Sequence, residues 1–217
     1  MKKLFLTLAM VCMAMFATAQ GSFDIMVSPQ NAKGLAEFFH GGENFNAYSY
    51  NEFQTQCWND MDSLGGRPLN MLSLNYVEYR LFDNFYIHPE VRLNSNWDNW
   101  DRNSYYIGIA YKIPISAVDI YVVPMYRRHG EKGGTNEFQL SINTSADWEH
   151  FYYQGYFDLY TGKNYSHGVT AFTEQRFYWK AYEGLQVGIN LTATSDPGFM
   201  PRGEWYINPY LAIRYAF

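Results

Sequence analysis

Side chains capable of acid–base, ionic or hydrogen-bonding chemistry fall at every second position along several segments of this 217-residue chain. His88, Glu90 and Arg92 form one series, and Asp119, Tyr121 and Arg127 share the parity of a second. Glu137, Gln139 and Asn143 form a third, and Tyr152, Gln154, Tyr156 and Asp158 a fourth. Glu174 with Arg176, Gln186 with Asn190, and Tyr206, Asn208, Tyr210 and Arg214 carry the pattern towards the C-terminus. A spacing of two places such residues on one face of a β-strand. On the inside of a closed sheet they make a wall of mixed acids and bases with tyrosine faces between them. Opposed charges set up a transverse field that orients polar solutes. A tyrosine adds a flat face for a sugar or a base, plus a hydroxyl. The expected solute is small and neutral or zwitterionic, saccharide- or nucleoside-like. A small barrel must also fill its interior, so the same residues read equally as a paired structural network.

Other chemistries find less support. Ser166-His167 places a nucleophile beside a base near a strand end, where a lipid-modifying enzyme would keep its site. No G-x-S-x-G elbow or positioned acid accompanies the pair, and the parity of Val169 and Ala171 points His167 outward, so no catalytic residue is assigned. The five histidines, at 40, 88, 129, 150 and 167, are scattered without H-E-x-x-H spacing, and no metal or cofactor is expected. Asp60 and Asp62 before Gly65 lack the later Glu of a calcium loop. The Gly-rich run from His129 to Thr135 is not a phosphate-binding loop. Trp97-Asp98-Asn99-Trp100-Asp101 could meet a sugar at a pore mouth, or form part of an interfacial girdle. A net charge of −5 and the absence of any Lys/Arg block exclude a nucleic-acid polymer as partner.

The elements that must position these residues are strands. Phe138, Leu140, Ile142, Thr144, Ala146 and Trp148 oppose the polar series of their segment. Leu185, Val187, Ile189, Leu191 and Ala193 do the same, as do Ile207, Leu211, Ile213 and Tyr215. Ten such strands are legible, near 45–58, 69–82, 85–97, 104–113, 117–127, 136–148, 151–160, 165–179, 185–195 and 205–217. The patterns at 45–58, 69–82 and 165–179 are mixed. Phe23–Val27 and Leu35–His40 would supply two more short strands and make twelve. Short turns such as Asp83-Asn84 and Glu149-His150 alternate with longer loops, the outer-membrane rule of short periplasmic and long external connections. Segments of this length suit a tilted bilayer crossing, and no second stretch of about 18 apolar residues suggests a membrane helix. A soluble β-sandwich would also alternate. The unbroken apolar faces favour membrane lipid, and so do aromatics at strand ends: Phe82, Phe85, Trp97, Trp148, Phe151, Tyr153, Trp179 and Trp205.

Upstream, Lys2 and Lys3 precede an apolar run from Leu4 to Phe16 and an Ala17-Thr18-Ala19 cleavage site. Residues 1–19 therefore read as a secretory signal peptide, and 20–217 as a single barrel domain in the outer membrane of a Gram-negative bacterium. Cys57 is then the only cysteine of the mature chain. The terminal Tyr215-Ala216-Phe217 has the outward aromatic spacing of the signal read by the barrel-insertion machinery, an expected partner through Phe217.

The stretch Thr173–Trp179, the strand Leu185–Leu191 and the run Ile207–Phe217 resemble the C-terminal half of a family of uncharacterised outer-membrane proteins from Gram-negative anaerobes. That family is itself distantly similar to the nucleoside-specific (Tsx-like) channel porins. Glu37-Phe38-Phe39 to Tyr50 and Leu74–Arg80 resemble its early strands more loosely. The resemblance implies an all-β, antiparallel, up-and-down transmembrane barrel of twelve strands rather than ten, and leaves its cargo open. The first strand and loop are shorter than in Tsx-like proteins.

Overall fold

The computed structural model describes residues 20–29, 31–55, 69–96, 103–130, 136–162, 169–195 and 205–217. They form twelve strands: β1 (Gln20–Val27), β2 (Ala32–Gly41), β3 (Phe45–Thr55), β4 (Leu69–Phe82), β5 (Phe85–Asn96), β6 (Ser104–Ile113), β7 (Asp119–His129), β8 (Asn136–Asp147), β9 (Phe151–Gly162), β10 (Val169–Lys180), β11 (Leu185–Thr194) and β12 (Tyr206–Ala216). Each strand pairs antiparallel with its sequence neighbours and β1 pairs with β12, so the sheet closes on itself. The count is twelve, because the Phe23–Val27 and Leu35–His40 segments lie within β1 and β2 and complete the wall. β7 starts two residues later than its periodicity suggested. Residues 1–19 and 165–168, Asp60, Asp62, Gly65, Trp97–Asp101 and Ser166-His167 lie outside the described residues.

One end of the barrel carries the short connections 42–44, 83–84, 114–118, 148–150 and 181–184. In the two-residue turn Asp83 takes a φ of 42°, the left-handed conformation that tight hairpins demand. At the other end every connection except 28–31 is longer.

The outer face is apolar. Phe23, Ile25 and Val27 on β1, Tyr105, Ile107 and Ile109 on β6, and Leu211 and Ile213 on β12 are all exposed. An apolar belt of that extent has no stable place in water, whereas strands of 8 to 14 residues suit a tilted crossing of hydrocarbon. Near the short-turn end Phe85 lies 5.0 Å from Phe82 and 4.7 Å from Tyr111, forming part of an interfacial girdle. Tyr153, near the start of β9, donates its hydroxyl to Gln175 on the outer wall.

On β3 and β4 both faces are mixed in character. Ser49 pairs across from Asn75 and Asn51 from Ser73, all with outward parity. They close a hydrogen-bonded ring: Ser49 donates to Asn75 (2.8 Å), Asn75 to Ser73 (2.9 Å), Ser73 to Asn51 (2.8 Å) and Asn51 to Ser49 (3.0 Å). Every member thus offers one donor and one acceptor to the ring, which lowers the cost of holding polar groups against lipid.

The interior is not the uniformly hydrophilic lining that the sequence suggested. Met26, Leu35, Tyr50, Tyr178, Tyr210 and Ala212 pack into one buried cluster, with Leu72 and Leu74 against it. Tyr106, Ala110, Val123 and Met125 form another. A barrel of this size fills its interior with side chains wherever it does not leave a path.

Candidate functional site: the charged lumen

All sixteen residues assigned to the lining carry inward parity in the observed register. Glu90 pairs with Tyr106, Arg127 with Glu137, Tyr156 with Glu174, Asn190 with Tyr210, and Gln186 with Arg214. His88, Arg92, Gln139, Asp158, Arg176 and Tyr206 keep step with them, two or four residues away on the same strands. Asp119 and Tyr121 sit apart at the short-turn rim, where Asp119 meets Lys112 at 2.6 Å and is half exposed. Most of the others fall into two clusters.

The first cluster joins β10–β12 to β1–β3. Arg176 reaches Glu37 at 2.9 Å, Glu174 at 2.6 Å and Asp24 at 4.0 Å. Lys33 Nζ lies 2.7 Å from Glu174 and 3.2 Å from Glu52, and 4.8 Å above the Tyr210 ring. Tyr178 donates to Asp24 at 3.0 Å, and Tyr48 donates to Glu37. Arg214 lies 4.0 Å over Tyr152 and 3.6 Å from Asp24. The second cluster joins β4–β9. His88 lies between Glu78 (2.9 Å) and Glu90 (3.3 Å). Arg92 donates to Glu90, meets Asp158 at 3.4 Å and lies 4.6 Å over Tyr106. Arg127 pairs with Glu137 at 3.2 Å.

Several of these contacts cross the lumen. β2 and β10 are four strands apart around the wall, as are β5 and β9, yet Lys33 meets Glu174, Arg176 meets Glu37 and Arg92 meets Asp158. Water barely reaches the centre: Glu174, Arg176 and His88 are 1%, 2% and 1% exposed. Opposed charges from strands four places apart thus meet across the interior and narrow it there.

The charge balance is uneven. Among the described residues, the first cluster sets Asp24, Glu37, Glu52 and Glu174 against Lys33, Arg176 and Arg214. The second sets Glu78, Glu90, Glu137 and Asp158 against Arg92 and Arg127, with His88 between two of the acids. Rim pairs such as Lys112–Asp119 and Lys180–Asp147 are balanced.

Sequence reasoning missed Asp24, Lys33, Glu37, Glu52 and Glu78. For the first three a signal existed: Ser22, Asp24 and Met26 alternate with Phe23, Ile25 and Val27, and Lys33, Leu35 and Glu37 continue on β2. Glu52 and Glu78 lie on β3 and β4, whose faces are mixed.

No family model matches the chain, and no curated protein matches it in sequence. Solved structures do match. The KdgM porin aligns over 91% of this chain and 99% of its own, at 11% identity and a TM-score of 0.54. It is also similar to this chain as the KdgM porin in complex with disordered oligogalacturonate, with the same TM-score of 0.54. The NanC porin aligns over 92% and 99%, at 10% identity and a TM-score of 0.60. The fold is that of outer-membrane porins.

Proposed function

We propose that this protein is an outer-membrane channel for passive diffusion of small polar solutes, narrowed at its centre by ion pairs that span the lumen. The observation that carries this reading is the cross-lumen set Lys33–Glu174, Arg176–Glu37 and Arg92–Asp158. These side chains project from strands four places apart and meet across the interior, so a solute passing the centre must exchange contacts with them. The similarity to the KdgM and NanC porins supports a barrel of the right size for that role. Tyr50, Tyr106 and Tyr210 beside these pairs supply ring faces for a saccharide- or nucleoside-like solute, in keeping with the resemblance to Tsx-like channels. No catalytic step is needed.

The competing reading is a closed barrel that presents its external loops to a partner. The near-zero exposure of Arg176 and Glu174 favours it. Single-channel recording in planar bilayers separates the two. A channel gives small discrete openings, and neutralising the central pairs with Arg176→Gln or Arg92→Gln changes their size. Folded, inserted protein that never conducts would overturn the channel reading.

A further inference from the structure

The sign of the lumen charge carries a solute preference. Among the described residues, eight carboxylates of the two central clusters face five lysine and arginine side chains and His88. The hydrogen-bonding capacity is skewed the same way. The side-chain carbonyl oxygens of Asn190, Asn208, Gln186 and Gln139 are buried and receive no donor. The amide groups of three of them are engaged, which fixes their orientation: Asn190 donates to Glu174 (3.1 Å), Asn208 to Tyr210 (2.8 Å) and Gln139 to Ser141 (2.7 Å). The surplus donors of Arg127 and Arg214, by contrast, lie over the faces of Tyr160 and Tyr152. Acceptors are in excess and donors are covered.

From this, and resting on the channel reading above, we infer that the lumen selects cations over anions and takes small solutes bearing a protonated amine or guanidinium. Their seat is the position that Lys33 Nζ now fills. Two carboxylates flank it at 2.7 and 3.2 Å, the Tyr210 ring lies beneath it, and the free Asn190 oxygen belongs to the side chain bonded to Glu174. Carboxylates with an aromatic face are the recognition chemistry of an ammonium group. An incoming cation displaces Lys33 and is released when the lysine returns, so binding stays weak enough for passage. The polyanionic oligogalacturonate named with the KdgM porin would meet repulsion here.

The test has two arms. The full chain, folded into planar bilayers under unequal KCl concentrations, passes K⁺ over Cl⁻ by roughly threefold or more. Glu52→Gln and Glu174→Gln bring the ratio towards unity. A preference for Cl⁻ overturns the inference and leaves the channel reading standing. The second arm needs no conductance. In detergent, Lys33→Ala melts at a higher temperature in methylammonium chloride than in sodium chloride at equal concentration, and its gain exceeds that of the parent and of Lys33→Met. If Lys33→Ala responds no more than the parent, the amine seat is wrong whether or not the barrel conducts.

Discussion

Arg176 Nη1 lies 2.9 Å from Glu37 Oε2, although the two residues are 139 positions apart and their strands four places apart around the barrel. The guanidinium also holds Glu174 at 2.6 Å and approaches Asp24, so one side chain ties β10 to β2 and β1 across the interior. Arg176→Met would leave three carboxylates buried with less compensation. Its cost is about 3–5 kcal/mol of unfolding free energy, the range for breaking a buried pair from one side. Denaturant unfolding in detergent measures it. Adding Glu37→Gln recovers part of the loss, and the coupling appears as non-additivity in the double-mutant cycle. An unchanged midpoint in Arg176→Met would show that the centre is freely hydrated and that the pair is dispensable.

The ring of Ser49, Asn51, Ser73 and Asn75 faces lipid, so its members depend on one another. Asn51→Leu removes the donor to Ser49 and the acceptor of Ser73. Two hydroxyl groups are then left without those partners in hydrocarbon, at a cost of about 1–3 kcal/mol. Replacing all four together, with Ser49→Val, Asn51→Leu, Ser73→Val and Asn75→Leu, removes every orphan at once. That variant folds into lipid vesicles at least as stably as the parent. Equal stability of the single and fourfold variants would mean that the ring contributes nothing.

The same ring explains where the sequence stopped being legible. On β5, β8 and β9, and again on β11 and β12, apolar and polar residues alternate cleanly, because one face meets lipid and the other meets polar and charged partners, whereas β6 and β7 turn Ala110, Val123 and Met125 inward. Register and inward set follow directly, as with His88, Glu90 and Arg92. On β3 and β4 the lipid face holds Ser49, Asn51, Ser73 and Asn75 while Leu72 and Leu74 turn inward, so the hydrophobic period cancels. β10 is blurred for the same reason: Gln175 faces outward and binds Tyr153 and Thr173. β1 has eight residues, too few for the inward Asp24 to stand out, and Gly34 and Ala36 weaken the outward face of β2 beside Lys33 and Glu37. The meeting of Lys33 with Glu174 was beyond periodicity altogether. It depends on how far the sheet is staggered when it closes, a property of all twelve strands together.

Close approach of strands gives a contrast between two glycines. A Cβ on Gly188 would sit 2.0 Å from the Phe177 carbonyl oxygen and 2.8 Å from the Tyr178 Cα, both backbone atoms that cannot move without parting β10 from β11. At Gly34 the nearest atom, the Asp24 carbonyl oxygen, is 4.0 Å away. Gly188→Ala therefore lowers stability by about 1–3 kcal/mol, as overpacking does. Gly34→Ala is neutral or stabilising by up to about 1 kcal/mol, through the unfolded chain. Thermal unfolding of the two variants side by side decides it, and similar midpoints would contradict the packing described for β10–β11.

The closing seam is the place where the barrel should open first. β1 and β12 share six residue pairs, from Ser22↔Ala216 to Val27↔Leu211, whereas β1 and β2 share eight and β3 and β4 share eleven. Beyond the last pair, Gly21 and Phe217 exchange two backbone hydrogen bonds of 2.9 Å. The Phe217 ring lies close over Gly21, where a Cβ would come within 2.7 Å of it, and stands 6.5 Å from Phe38 and 6.3 Å from Tyr215. The ring thus clamps the short end of the seam, and Phe217→Ala forfeits about 1–1.5 kcal/mol of aromatic contact. Local opening there becomes roughly tenfold more frequent, read as faster amide exchange along β1 and β12, while β6 and β7 keep the parent's rates. Uniform acceleration around the barrel would mean that it opens as one unit and that the seam has no special weakness.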